Sequence, residues 1–248
     1  MSDPTSDAPS TGIDAFWFPG RWVGGCSLVV GPLLLLVGAL LRVQFDFFFP
    51  AQLAAAKAHP VLIPAAYGFF LAGIVCLWPG ILTVAQLIGT RRPGWALWGG
   101  TLTVLGLFKR TFDHGANHFA LQLIPIQGVD GATRTVGAYY GAFEGVARTL
   151  SFAAMTGWIV LAIGAYLSHV LGLGRALALS LMAGLMIGVL KGSTWSSVLQ
   201  ITGLCVAFVP LGISMLQSGP WPPARRTAIT LTAIAAATVV AFLLGQAG

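Results

Sequence analysis

Lys109-Arg110-Thr111-Phe112-Asp113-His114-Gly115-Ala116-Asn117-His118 stands at the end of the third long apolar stretch and gathers five ionisable side chains into ten residues. The chain as a whole is only 8% charged. On a helix Arg110, His114 and His118 follow one another at i, i+4 and i+8 and share a face, with Lys109, Asp113 and Asn117 as a second stripe beside it. Ionisable groups in or near a bilayer are costly. They face a bundle interior or a watery cavity and are read first as a functional site. The stretch therefore predicts a membrane protein with a polar pocket at one end.

The composition agrees. The chain has 248 residues, is 56% hydrophobic and has a mean hydropathy of +0.85, whereas a soluble domain carries about 25% charged residues. The apolar stretches are continuous rather than alternating, which predicts helices and excludes an outer-membrane barrel. The net charge of +6 comes from basic residues placed singly or in pairs at segment ends, where they set topology and meet lipid headgroups. No nucleic-acid footprint is present. Cys26, Cys76 and Cys205 lie far apart in apolar segments and make neither a disulfide framework nor a metal-ligand spacing.

The expected architecture is an all-α integral membrane bundle of about seven transmembrane helices. Residues 1–20, with Asp3, Asp7 and Asp14, read as a disordered tail rather than a signal peptide; residues 21–248 read as one seven-helix domain. Segment one is Trp22–Leu41, long enough to cross ~30 Å of hydrocarbon. Val43-Gln44-Phe45-Asp46-Phe47-Phe48-Phe49-Pro50 follows, an interfacial Phe-rich element lying along the membrane edge. An alanine-rich turn or short helix then leads to His59-Pro60. Segment two is Val61–Gly89, with Pro64 and Pro79 as expected kinks. Segment three starts near Trp95 and continues through Lys109 to His118. Gln127–Gly131 reads as a loop. Segment four is Thr135–Leu171, segment five Ala176–Leu190, segment six runs from about Ser197 to Gln217, and segment seven is Thr227–Leu244. Gly137, Gly141 and Gly145, and likewise Gly184, Gly188 and Gly192, have the four-residue spacing that lets helices approach closely, and could serve homo-oligomer contacts.

Alternate connections place Arg42 to Lys57, the Lys109–His118 cluster, Arg134, the Tyr140–Glu144–Arg148 stripe and Lys191 to Ser197 at one end. Glu144 is the only glutamate in the chain. Leaving out Lys109, Arg110 and Arg148, the 13 Lys+Arg divide six to four in favour of a cytoplasmic N-terminus and an outward pocket. Counting those three reverses the balance.

Two chemistries suit this pocket, against one purely structural alternative. His114 and His118, completed by Glu144 or Asp113, have the spacing for a divalent metal, although Gly115 replaces the glutamate of H-E-x-x-H. Acid–base catalysis without a cofactor would use Asp113, His114, His118, Tyr140 and Glu144 as proton carriers. Arg110, Arg148 and Lys191, with Asp46 and Thr194, would bind the substrate. The bland alternative pairs Lys109 with Asp113 and Glu144 with Arg148, leaves Asp46 as an interfacial anchor, and makes Ser193 or Thr194 the cap of segment six. Ser197 and Gln200 are further candidates for the lining.

Familiar seven-helix chemistries do not transfer. Segment seven lacks the lysine of a retinal protein, and an HxxxH pair in segment three is not the last-span pair of ceramidase-type zinc hydrolases. The expectation is an enzyme of the cell membrane, prokaryotic by its short connections, that cyclises, isomerises or hydrolyses a lipophilic small molecule in contact with the lipid bilayer. A small proton-coupled carrier, or a non-catalytic assembly or resistance subunit, are the alternatives.

Overall fold

The computed structural model describes residues 18–141 and 146–219, the backbone alone at Ala147 and Arg148, and a few positions between 228 and 236. Most of the expected tail, the Glu144 position, the Arg148 side chain and most of segment seven lie outside the described residues. The chain divides into two compact units, 1–216 and 217–248; the description below concerns the first.

Among the described residues seven α-helices follow in order: α1 (Gly20–Leu40), α2 (Phe49–Ala58), α3 (Leu62–Gly89), α4 (Pro93–Gly141), α5 (Val146–Leu167), α6 (Leu173–Ser180) and α7 (Trp195–Gln217), with a 3-10 turn at Leu181–Gly184 after α6. Among the described residues four helices are long and apolar enough to cross a membrane: α1, α3, Thr149–Leu167 of α5, and α7. Their outer faces expose Val30, Leu33 and Val37, Phe69 and Val75, Phe152 and Ile159, and Leu199 and Val206. So continuous an apolar exterior needs hydrocarbon around it. The chain is an integral membrane protein.

The helices cross in antiparallel pairs, α1 against α3 and α4 against α5. Glycines let the backbones touch: Gly31 and Gly38, seven residues apart on α1, Gly73 on α3, Gly99 and Gly106, again seven apart, on α4, and Gly157 on α5; Gly80 and Gly164, seven residues beyond Gly73 and Gly157, make room for side chains. A Cβ at Gly106 would stand 2.5 Å from the Cα of Ala154, and one at Gly157 would stand 2.5 Å from the backbone nitrogen of Thr103. A seven-residue repeat keeps one face of each helix on its partner. The four-residue spacing singled out in the sequence does not do this work. Gly137 has only the Phe49 ring within 4 Å, Gly141 has nothing there, and Gly184 to Gly192 are not on an α-helix.

Proline breaks inside two helices are closed from neighbours. Pro79 interrupts α3, and the Ser27 hydroxyl of α1 enters the gap, accepting from the Gly80 N–H at 2.8 Å and donating to the Cys76 carbonyl. Beside Pro210 of α7, Arg175 donates to the Ala207 carbonyl at 2.7 Å. Side chains inserted in this way compensate an interrupted ladder in a medium without water. Pro64, expected as a kink, falls in the first turn of α3, where a missing N–H costs little.

Three expected boundaries are corrected. Segment three does not end near His118: α4 continues to Gly141, broken only at Gly128, whose φ of 72° is left-handed. The loop expected over Gln127–Gly131 is this single-residue break, because one glycine suffices to redirect a helix. Consequently Thr135 belongs to α4, and the following helix begins at Val146 and ends at Leu167 rather than Leu171. Segment five is not a spanning helix. Leu173–Ser180 and the 3-10 turn to Gly184 give way to an irregular stretch up to α7.

Two apolar cores result. Leu28, Leu35, Ile74, Leu77, Ile81, Leu107, Trp158, Leu161 and Phe208 fill the bundle. Leu53 of α2, Ile63 and Tyr67 of α3, Leu121, Leu123 and Val136 of α4, and Val189 and Leu190 form a second core. Residues 93–127 of α4 run about 50 Å at 1.5 Å per residue, more than the ~30 Å of a bilayer interior. Its distal part and α2 thus make a cap at one end of the bundle.

Candidate functional site

Between bundle and cap lies the irregular stretch Leu185–Thr194. Its backbone has no helical partners, so side chains must supply them. Arg110 donates to the carbonyls of Leu185 (2.6 Å) and Met186 (3.2 Å). The Tyr140 hydroxyl donates to the Val189 carbonyl. Asn117 Oδ1 accepts the N–H of Leu190, a residue held at a left-handed φ of 50°. Arg42 and Tyr67 both donate to the Lys191 carbonyl at 3.3 Å, and Gly192 N–H donates to Phe47 at 2.8 Å. Polar side chains from α3, α4 and the turn just after α1 hold one segment in place.

The same side chains enclose a cavity of about 30 Å³, lined by Arg42, Phe70, Arg110, Asp113, His114, Asn117, residues 185–188, Lys191–Ser193 and Ser197. That is room for one or two waters. The Lys109 ammonium bonds Asp113 Oδ1 inside the α4 face, and Asp113 Oδ2 is buried without a hydrogen-bond partner. Arg110 Nε is likewise buried and unpartnered. His114 stacks on Phe70 with ring centroids 5.1 Å apart, and its Nδ1 stands 3.4 Å from Asn117 Nδ2. The Arg42 guanidinium lies over the Tyr67 and Phe70 rings, at 4.2 and 4.8 Å. Lys191 Nζ sits among Phe47, Phe48 and Tyr140 at 5.2, 5.0 and 5.3 Å from their ring centres. Cations over ring faces are partly stabilised without a counter-ion.

Of the residues singled out in the sequence, Asp113, His114, Arg110 and Lys191 come together here, and Ser193 and Ser197 join them. Others do not. His118 is exposed, because the helix turns its position away from the buried Asn117 stripe. Tyr140 sits outside the cavity as a clamp on Val189; burial, and to a smaller extent the Asp113 charge, push its hydroxyl up to about 12. In this structure the hydroxyl serves as a donor to that carbonyl. Asp46 is exposed and faces an open groove with Gln44, Phe45 and His59. Thr194 is exposed and caps α7, its Oγ1 accepting from Ser197 N–H while Ser197 Oγ accepts from Thr194 N–H, both at 3.3 Å. Gln200 is absent from the lining and stands against Gly184. Glu144 and the Arg148 side chain fall outside the described residues.

Among the described residues no three His, Cys, Asp or Glu side chains gather in a metal-holding group. His114 is buried and His118 exposed, so the pair does not converge on one point.

Arg42, Asn117 and Gln52 acquire roles the sequence reading did not assign. Gln52 is fully buried, its Oε1 sharing the single Tyr67 hydroxyl hydrogen with the Lys191 carbonyl (3.1 and 3.3 Å) and its amide donating to the Asp46 carbonyl at 2.6 Å. A lone glutamine in an alanine-rich helix was its one signal. Set beside family models, characterised proteins and solved structures, the chain matches none.

Proposed function

We propose that this chain is a membrane-embedded enzyme that acts by acid–base chemistry on the polar head of a lipophilic molecule. The observation that carries the reading is Asp113: one carboxylate oxygen is tied to Lys109, the other is buried without a hydrogen-bond partner, and the residue lines a cavity with His114 and Arg110. Asp113 and His114 would exchange a proton with the substrate, while Arg42, Arg110 and Lys191 stabilise negative charge developing on it. A cavity of about 30 Å³ admits only a group of one or two polar atoms, such as a hydroxyl or carbonyl. The apolar remainder would lie along the exposed Phe48 and Met186 at the rim. In this reading the protein sits in a prokaryotic plasma membrane. Crossings by α1, α3, proximal α4, α5 and α7 are joined by one made of α6 and the irregular stretch.

The test uses the full chain in lipid nanodiscs, incubated with a membrane-lipid and isoprenoid extract and followed by untargeted mass spectrometry. Depletion of one compound by wild type, reduced about 100-fold or more by Asp113→Asn at unchanged melting temperature, supports the enzyme. Equal depletion by a folded Asp113→Asn protein sinks it.

A carrier is the second reading. It is favoured by a crossing that is half short helix and half irregular backbone, the type of discontinuous segment that lines carrier sites. Uptake of substrate into proteoliposomes without chemical change would select it.

A further inference from the structure

Asn117 decides what His114 offers the cavity. Its side-chain amide meets the N–H of Leu190. A backbone N–H only donates, so the atom facing it is Oδ1 and the orientation of the amide is fixed. Nδ2, which also only donates, is thereby turned to His114 Nδ1 at 3.4 Å. That nitrogen must present its lone pair. The ring is then neutral and carries its hydrogen on Nε2.

His114 Nε2 has no hydrogen-bond partner among the described residues and, unlike Asp113 Oδ2 and Arg110 Nε, is not sealed inside the protein. The same holds for Ser193 Oγ, although that residue is only 3% exposed. Both residues line the cavity, so an imidazole N–H and a hydroxyl stand open to it. Lys191 adds an ammonium to the wall, and Arg42 adds a guanidinium that spends Nε on the Gly38 carbonyl and Nη1 on the Lys191 carbonyl. Asp113, the one carboxylate among the lining residues, has one oxygen on Lys109 and the other enclosed. The side-chain atoms open to the cavity are therefore donors.

A group that fits must accept hydrogen bonds without bringing a hydrogen of its own. A carbonyl does so. An alcohol brings an O–H, and Ser193 cannot accept that hydrogen while donating its own to the same oxygen. Size narrows the choice further. About 30 Å³, the room of one or two waters, takes the carbon and oxygen of a carbonyl and is too small for the three atoms of a carboxylate. Met186 lines the cavity and is 63% exposed, so an apolar body can stay outside against it.

We infer that the cavity binds the carbonyl group of a lipophilic ketone, aldehyde or ester, with His114 Nε2 and Ser193 Oγ as donors to its oxygen. The consequence rests on the proposed enzyme: its substrate is a carbonyl compound, held by donors where negative charge develops. Binding and the histidine tautomer are measured without turnover.

The experiment uses the full chain in phosphatidylcholine nanodiscs, with empty nanodiscs to subtract partition into lipid. The probes are methyl undecyl ketone, the matching secondary alcohol, and laurate. The ketone should bind at least about tenfold tighter than the alcohol, with its carbonyl stretch moved to lower frequency. Nitrogen NMR of protein labelled in its histidines should show His114 with its hydrogen on Nε2, its signals being those lost in His114→Phe or His114→Gln. His114→Phe keeps a ring against Phe70 and removes the donor, so the ketone should fall to the affinity of the alcohol. Hydrogen on Nδ1, a ketone bound no tighter than the alcohol, or laurate bound tighter than the ketone overturns the inference. The tautomer and the probe comparison are read on unaltered protein, so a variant that fails to fold does not blunt them. Turnover of a lipid without a carbonyl, and no preference for the ketone, would overturn this inference and leave the enzyme standing; ketone binding as described without any turnover would do the reverse.

Discussion

The glycine-paired bundle and the capped polar end solve the same problem by opposite means. In α1, α3, α4 and α5 the backbone ladders largely satisfy themselves, with Ser27 closing the Pro79 break, so those helices approach until main chains meet at Gly31, Gly38, Gly106 and Gly157. At the other end Leu185–Thr194 cannot satisfy itself, and Arg42, Tyr67, Arg110, Asn117 and Tyr140 do so for it. The first region depends on shape, the second on hydrogen bonds. A polar cluster in a membrane protein can thus have a structural duty and still leave specific atoms over. Here the surplus is Arg110 Nε and Asp113 Oδ2.

The contrast can be broken most forcefully in the bundle. Gly106→Leu puts side-chain atoms into the backbone of α5 at Ala154, where nothing flexible can yield. A loss of about 3 kcal/mol or more is expected, seen as aggregation or a collapsed melting temperature in detergent. A stable, monodisperse Gly106→Leu protein would remove the close-contact account.

Next in size is the polar end. Asn117→Leu strips the acceptor from the buried Leu190 N–H, at a cost of about 1–3 kcal/mol. The signature is local: hydrogen exchange should accelerate over residues 185–192 while α1 and α3 keep their protection. Uniform acceleration would mean that the two regions are not distinct in the way described.

The smallest effects separate sequence candidates that the fold set aside. Thr194→Ala removes the α7 cap and should cost about 1 kcal/mol without altering ligand affinity. His118→Ala, at an exposed position, should change stability by less than about 0.5 kcal/mol. A large loss of activity from either one, in folded protein, would return it to the site.

How far the site was legible depends on which residues are considered. Lys109, Arg110, Asp113 and His114 announced themselves, since charge in so apolar a chain is conspicuous and helical spacing fixes which face it occupies. Arg42 was visible but looked like an ordinary end-of-span cation. Leu185-Met186-Ile187-Gly188-Val189-Leu190 was misread because hydropathy measures affinity for hydrocarbon and says nothing of backbone conformation. Its run of apolar side chains suits an irregular buried segment as well as a helix. The glycines at Gly184, Gly188 and Gly192 suggested helix contact, yet Gly188 has a φ of 147° that belongs to irregular backbone.

Composition and hydropathy alone determined that this chain enters a membrane, because few charges and long apolar runs leave no other solvent for its surface. Spacing along α4 determined that Asp113 and Arg110 lie near one another, since helix geometry is local. Only the tertiary structure decided that His118 turns outward, that Thr194 caps a helix, and that Arg42 and Lys191 meet Arg110 around one cavity. Those outcomes depend on where distant segments pack. An irregular stretch must take its hydrogen bonds from whichever side chains the fold brings beside it.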